Sequence, residues 1–218
     1  MRDEDIHTVI ALLTTEVEQW KVPVVGQMAT GPSRPFRVLI SCLLSLRTKD
    51  ETTRVAAERL FRLAQTPAEM VQLDAETIAQ TIYPVGFYRT KAAQILRICQ
   101  LLLERYDARV PDDIDTLLTL PGVGRKTANL VVTLGYGKPG ICVDTHVHRI
   151  TNRWGYVQTK SPEETEMVLR KKLPSPYWIR FNDLLVTFGQ HRCKPISPFC
   201  SRCPLTPYCA RVGVSRHR

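Results

Sequence analysis

Nowhere in this 218-residue chain do about 18 apolar residues follow one another, so no membrane-spanning helix is expected, and no membrane partner is expected either. Clean alternation of apolar and polar residues between turn signals is equally scarce, so a β-sheet is not expected. The sequence holds no internal repeat, no low-complexity tract and no long linker. The opening Met1-Arg2-Asp3-Glu4-Asp5 is acidic and lacks the apolar run of a signal peptide, so a cytoplasmic location is the expectation. The one visible shift in composition is towards Pro, Arg and Cys after about residue 175.

Helical periodicity is abundant. Ile6, Val9, Ile10, Leu13 and Val17 form one stripe. Ala92, Ile95, Leu96, Cys99, Leu102 and Leu103 form another, at spacings of three and four. Asp50, Asp74, Asp112 and Ser161-Pro162 read as helix starts. The pattern predicts about ten short helices, an all-α chain of one or two domains. Thirty Lys+Arg against 21 Asp+Glu give a net charge of +9, which favours a polyanionic partner.

The stretch around which the chain is organised is Leu120-Pro121-Gly122-Val123-Gly124-Arg125-Lys126-Thr127-Ala128. Asp112 to Leu118 reads as one helix, and Arg125 to about Tyr136 as a second. Between them Pro121-Gly122 breaks the chain, and the two glycines permit a tight turn. The result is a helix–hairpin–helix. The start of the second helix exposes unpaired N–H groups and the positive end of its dipole, so an anion can rest there beside Lys126. The N–H groups of Gly122 and Gly124 can then grip a nucleic-acid backbone. A plain helical corner with a solvated lysine is the competing reading.

Farther on, Asp144 in Val143-Asp144-Thr145-His146-Val147 stands before a helical pattern and suits an N-cap. His146 and His148 could act as ligands or bases, although isolated histidines are more often structural. Cys42, Cys99 and Cys142 sit singly in apolar surroundings and read as buried, inert thiols. The remaining four, Cys193, Cys200, Cys203 and Cys209, crowd into 17 residues and point to metal ligation before disulfides. Four thiolates suit either a tetrahedral zinc or a [4Fe–4S] cluster, and the spacing departs from that of paired CxxC zinc knuckles.

Taken together, the hairpin, the Val143 to Val147 segment and the four cysteines resemble the endonuclease III family of helix–hairpin–helix DNA glycosylases. The resemblance extends from Leu43-Leu44-Ser45 through Val85-Gly86-Phe87-Tyr88 to Cys209. It implies an enzyme that removes oxidised pyrimidines from double-stranded DNA and nicks the abasic site, a monomer holding a [4Fe–4S] cluster. In a bacterium it would be nucleoid-associated. It implies a six-helix domain over about 28–138, a cluster domain joining 1–27 to 139–218, and Lys126 facing Asp144 across a cleft. Lys126 becomes the nucleophile and Asp144 the catalytic carboxylate, with the amine's charged form disfavoured by the helix start and by burial.

The family plugs the gap left by a flipped base with residues matching Leu44 to Thr48, usually with Gln where Arg47 stands here. Arg47 is longer, always charged, and able to pair bidentately with guanine. Phe87 stands at the family's wedge, often leucine, although packing beside Tyr83 and Tyr88 would equally suit it. Asp50 matches an acidic pocket residue but is also explained as a cap. Lys194, with Arg192, Arg202 and Arg211, can offer charge to phosphates or serve solubility alone. Two other functions fit less of the sequence: a mismatch or uracil/thymine glycosylase of the same superfamily, and a non-catalytic DNA-binding module.

Overall fold

The computed structural model describes residues 1–20, 25–26, 31 and 33–218. Among these, helices are the regular elements and no strand occurs. In chain order they are α1 (Ile6–Val17), α2 (Arg34–Ser45), α3 (Asp50–Leu63), α4 (Pro67–Met70), α5 (Ala75–Ile82) and α6 (Tyr88–Arg105). They continue with α7 (Ile114–Leu118), α8 (Arg125–Leu130), α9 (Thr145–Trp154), α10 (Pro162–Lys172) and α11 (Trp178–His191). The chain forms two compact units: Val24–Gly140, and Met1–Pro23 together with Ile141–Arg218. The boundary expected at residues 27 and 28 involves positions outside the described residues.

In the unit Val24–Gly140, α2 is buried on nearly every side. Phe36, Val38, Leu39, Ile40, Cys42, Leu43 and Leu44 are each 3 % exposed or less, the pattern of a helix surrounded by others. It packs against α3, α6, α8 and the segment that prolongs α8. The α6 stripe buries Ala92, Ile95, Cys99 and Leu102 as its spacing predicts. Leu103, expected on that face, is instead 38 % exposed, because Ile98 and Leu101 complete the buried surface. Burial pushes the Cys99 thiol up to about 12, which makes it unreactive.

Helix starts follow local hydrogen bonding, with two departures from expectation. Asp74 Oδ1 accepts from Thr77 N at 2.6 Å, and Ser161 Oγ from Glu164 N at 3.2 Å with Pro162 just inside α10. For α3, however, Lys49 holds the cap position and Asp50 is the first helical residue, its acid favourable to the dipole. For α7 the cap is Asp113, whose Oδ1 accepts from Thr116 N at 2.8 Å, while Asp112 pairs with Lys138 at 2.6 Å. Two adjacent aspartates offer the same signal, and Asp113, with extended backbone at φ −122°, is the one that turns its oxygen back to the helix.

The second unit is built on α1, α9 and α11. Ile6, Val9, Ile10 and Leu13 of α1 meet Val147, Ile150, Trp154, Phe181, Leu185 and Phe188, all 3 % exposed or less. Each such side chain contributes on the order of 1.5–3 kcal/mol through its removal from water. Val17, at the end of the α1 stripe, is only partly buried. Cys142 is buried here, and Cys42 in the other unit, and neither is in a disulfide. Among the described residues no helix is long and apolar enough to cross a membrane.

Candidate active site and cysteine loop

In the hairpin, Gly122 has φ +74°, a left-handed conformation that disfavours any side chain. Gly124 is different: it has extended backbone at φ −98° and caps α8, and a Cβ there would meet nothing within 4 Å. Its carbonyl accepts from Ala128 N at 2.9 Å to open the helix. Lys126 is the second residue of α8 and is exposed. The expected burial of its amine is therefore not met, while the helix start is. Beyond Leu130 the helix widens into a π turn over Val131–Gly135. There the Thr133 hydroxyl donates to Asn129 O at 2.7 Å, a side-chain bond that competes with the regular backbone ladder.

In the same unit the structure brings Arg47 and Phe87 together. The Arg47 guanidinium carbon lies 5.6 Å from the Phe87 ring centre. Phe87 is 62 % exposed, so the core-packing alternative is excluded, and Arg47 is exposed as well. Both have left-handed backbone, φ 54° and 58°, rare for large side chains and found where surrounding structure imposes them. Tyr83 and Tyr88 stack edge to face at 5.4 Å, and Tyr83 is itself 56 % exposed.

In the other unit Asp144 caps α9 as its sequence predicts. Its Oδ1 accepts from His146 N and Val147 N, both at 2.9 Å, and the residue is 8 % exposed. His146 packs where a Cβ on Gly189 would come within 2.3 Å of its Nδ1, so only glycine fits opposite. Arg149 Nη2 donates to that Nδ1 at 3.1 Å, which leaves the ring hydrogen on Nε2. The same Nη2 donates to Cys193 O at 3.1 Å. One helical turn on, Arg153 donates to Lys194 O at 2.7 Å, to Pro195 O at 2.6 Å and to Cys193 Sγ at 3.4 Å. His148 bonds Thr165 Oγ1 at 2.7 Å, a structural contact.

Cys193, Cys200, Cys203 and Cys209 line one pocket with Arg153, Arg211 and Phe188, and none is in a disulfide. Burial pushes Cys203 up to about 11 and raises Cys200 and Cys209, while the neighbouring Arg211 guanidinium opposes the shift at the last two. Plain thiols in this setting keep their protons, and a bound cationic centre would displace them. Among the described residues no three His, Cys, Asp or Glu side chains converge as ligands of one ion do. Four thiols around one shared pocket are a donor set that either a tetrahedral zinc or a [4Fe–4S] cluster can use. On the loop's flank Lys194, Arg202 and Arg218 stand 5.5, 5.4 and 4.3 Å from the Phe199 ring centre.

The model of the HhH-GPD superfamily of base excision DNA repair proteins matches residues 40–175. Endonuclease III of Thermotoga maritima is 50 % identical over 175 residues, 80 % of this chain and 82 % of that protein. The chain belongs to the endonuclease III family. Endonuclease III homolog 1, chloroplastic, of Arabidopsis thaliana is 42 % identical over 193 residues, and the chain spans about half of its length (51 %). The solved structure of a trapped endonuclease III–DNA covalent intermediate superimposes with a TM-score of 0.85 at 33 % identity, covering 97 % of each chain. Sequence patterns gave no hint of Lys91, Arg149, Arg153 or Phe199. The arginines at spacing four behind Asp144 were the nearest available signal.

Proposed function

We propose that this base excision repair enzyme, of the DNA glycosylase/AP lyase class, binds duplex DNA as a monomer, excises oxidised pyrimidines and nicks the abasic site by β-elimination. The Lys126 amine would attack C1′ of the deoxyribose as the glycosidic bond breaks, and the base leaves with that electron pair and gains a proton. The sugar opens to a Schiff base on Lys126. Loss of a C2′ proton forms a C2′–C3′ double bond and expels the 3′ phosphate. Asp144 stabilises the positive charge that develops on the sugar and assists the proton transfers. The observation that carries this reading is the lysine itself, placed one residue inside a helix that opens from a glycine hairpin. The covalent protein–DNA intermediate named for the relative's structure supports it.

Around that chemistry, the backbone at Gly122 and Gly124 and the side chain of Lys194 would hold phosphates, and Phe87 and Arg47 would fill the space of the displaced base. Cys193, Cys200, Cys203 and Cys209 would hold a [4Fe–4S] cluster, whose chemistry here is to fasten the loop that carries Lys194. Asp50, which opens α3, and His146, which packs against Gly189, would be the pocket residues.

Borohydride trapping on abasic duplex DNA tests the reading. Wild type should form a covalent adduct and Lys126→Ala should form none; no adduct, or equal trapping by both, overturns the assignment of lyase chemistry to Lys126. Arg47 favours a second reading, a glycosylase directed at mismatched bases. Faster excision of uracil or thymine from mismatches than of thymine glycol would establish that alternative.

A further inference from the structure

Lys91 lies in the first turn of α6 and is only 5 % exposed. Its ammonium donates to Leu44 O at 2.9 Å, Leu46 O at 2.6 Å and Thr48 Oγ1 at 3.3 Å, so all three N–H groups have an oxygen. The two carbonyls belong to the last turn of α2, where a cation also answers the negative end of the helix dipole. The Thr48 hydroxyl accepts in turn from Gly86 N at 3.1 Å. Meanwhile the backbone N–H of Lys91 donates to Phe87 O at 3.0 Å. Gly86 runs so close beneath the turn that a Cβ on it would lie 2.8 Å from Arg47 O. One residue thus bonds both neighbours of Arg47 with its side chain and holds Phe87 with its backbone.

We propose that Lys91 is the positioning residue for opposite-base recognition: its buried ammonium locks the turn that aims Arg47, and thereby sets which base is tolerated across from the lesion. The inference rests on the reading of Arg47 and Phe87 as the residues that enter the duplex. Of the two, only Arg47 carries hydrogen-bond donors in its side chain, and its planar fork matches O6 and N7 of guanine. A fork discriminates only while its backbone is fixed. Both left-handed residues sit where that fixing is needed, and Lys91 with Thr48 supplies it from below. The turn's own bonds, Thr48 N to Ser45 O at 3.1 Å and Thr48 Oγ1 to Leu46 O at 3.3 Å, close it locally, and the Lys91 ammonium is what ties it to α6.

The test is a double-mutant cycle on the ratio of single-turnover excision rates, opposite guanine over opposite adenine, with thymine glycol as the lesion. Wild type is expected to favour guanine by about tenfold or more, the value of one good bidentate pair. Arg47→Ala should bring the ratio near one. Lys91→Met, which keeps the aliphatic stem, should bring it down at least about fivefold, with no further loss in the double variant. Lys91→Arg should restore part of it. If Arg47→Ala collapses the ratio while folded Lys91→Met leaves it within about twofold of wild type, or if the two changes multiply, the inference is overturned. An Arg47→Ala ratio equal to wild type overturns the guanine reading and the role of Lys91 with it. Borohydride trapping by wild type on the same duplexes reports the amine chemistry separately. Should Lys91→Met not fold, Thr48→Val reads the same turn from its exposed side: a drop of at least about twofold supports the inference and an unchanged ratio overturns it.

Discussion

Asp144 carries two duties on one carboxylate. Its Oδ1 satisfies two N–H groups at the start of α9, and its charge is what the proposed chemistry uses. Substitution separates them. Asp144→Asn keeps an oxygen acceptor and should melt near wild type, whereas Asp144→Ala loses the cap at a cost of about 1 kcal/mol, roughly 2–4 °C in melting temperature. Base excision should fall in both, and a fully active Asp144→Asn protein would remove the carboxylate's charge from the mechanism. The cap was legible because a short acidic side chain before a helical pattern has few other uses. The exposure of Lys126 was not legible, since a lysine one residue inside a helix reads the same whether covered or open. Lys91 was invisible for a related reason: its acceptors lie 43 to 47 residues away and two of them are backbone carbonyls, which no side-chain pattern reveals.

At the scale of elements, α2 and α6 meet through that lysine. Burial pushes its ammonium down to about 8 from an ordinary 10.5. The groups that face it are two carbonyls and a hydroxyl, none of which titrates near neutrality. The folded chain therefore binds fewer protons than the unfolded one between about 8 and 10.5, and the contribution of Lys91 to stability rises with pH across that window. The turn responds in the opposite sense, because a neutral amine has two hydrogens for three oxygens. Raising pH from 7 to 9.5 should lower the guanine-over-adenine ratio of wild type and leave that of Lys91→Met flat; parallel profiles would refute this. Helix positions were readable from periodicity, yet the start of α7 shifted by one aspartate and Leu103 turned outward. Spacing fixes that a face is apolar, not how wide a neighbouring helix makes it.

At the scale of the whole molecule, the charge of +9 is the property with the largest expected effect on binding. Affinity for duplex DNA should fall about a thousandfold between about 50 and 200 mM salt, the figure for roughly six neutralised phosphates. Lys194→Ala should weaken binding to every sequence alike and make the logarithmic salt slope shallower by about one; an unchanged slope would place Lys194 away from the phosphates. That the four cysteines belong together was legible from their spacing, and they line one pocket. Composition carries no mark of the division after Gly140, because both units are helical and built from the same apolar residues.

The guanidinium groups of Arg149 and Arg153 join the cysteine loop to α9 through backbone oxygens of residues 193 to 195. The same helix begins at Asp144. An oxidant that strips the thiols of whatever they hold would thus slacken the anchor of a rod whose far tip is Asp144, the carboxylate proposed for the chemistry. Repair would then fail by misalignment while the protein still looks folded to a calorimeter.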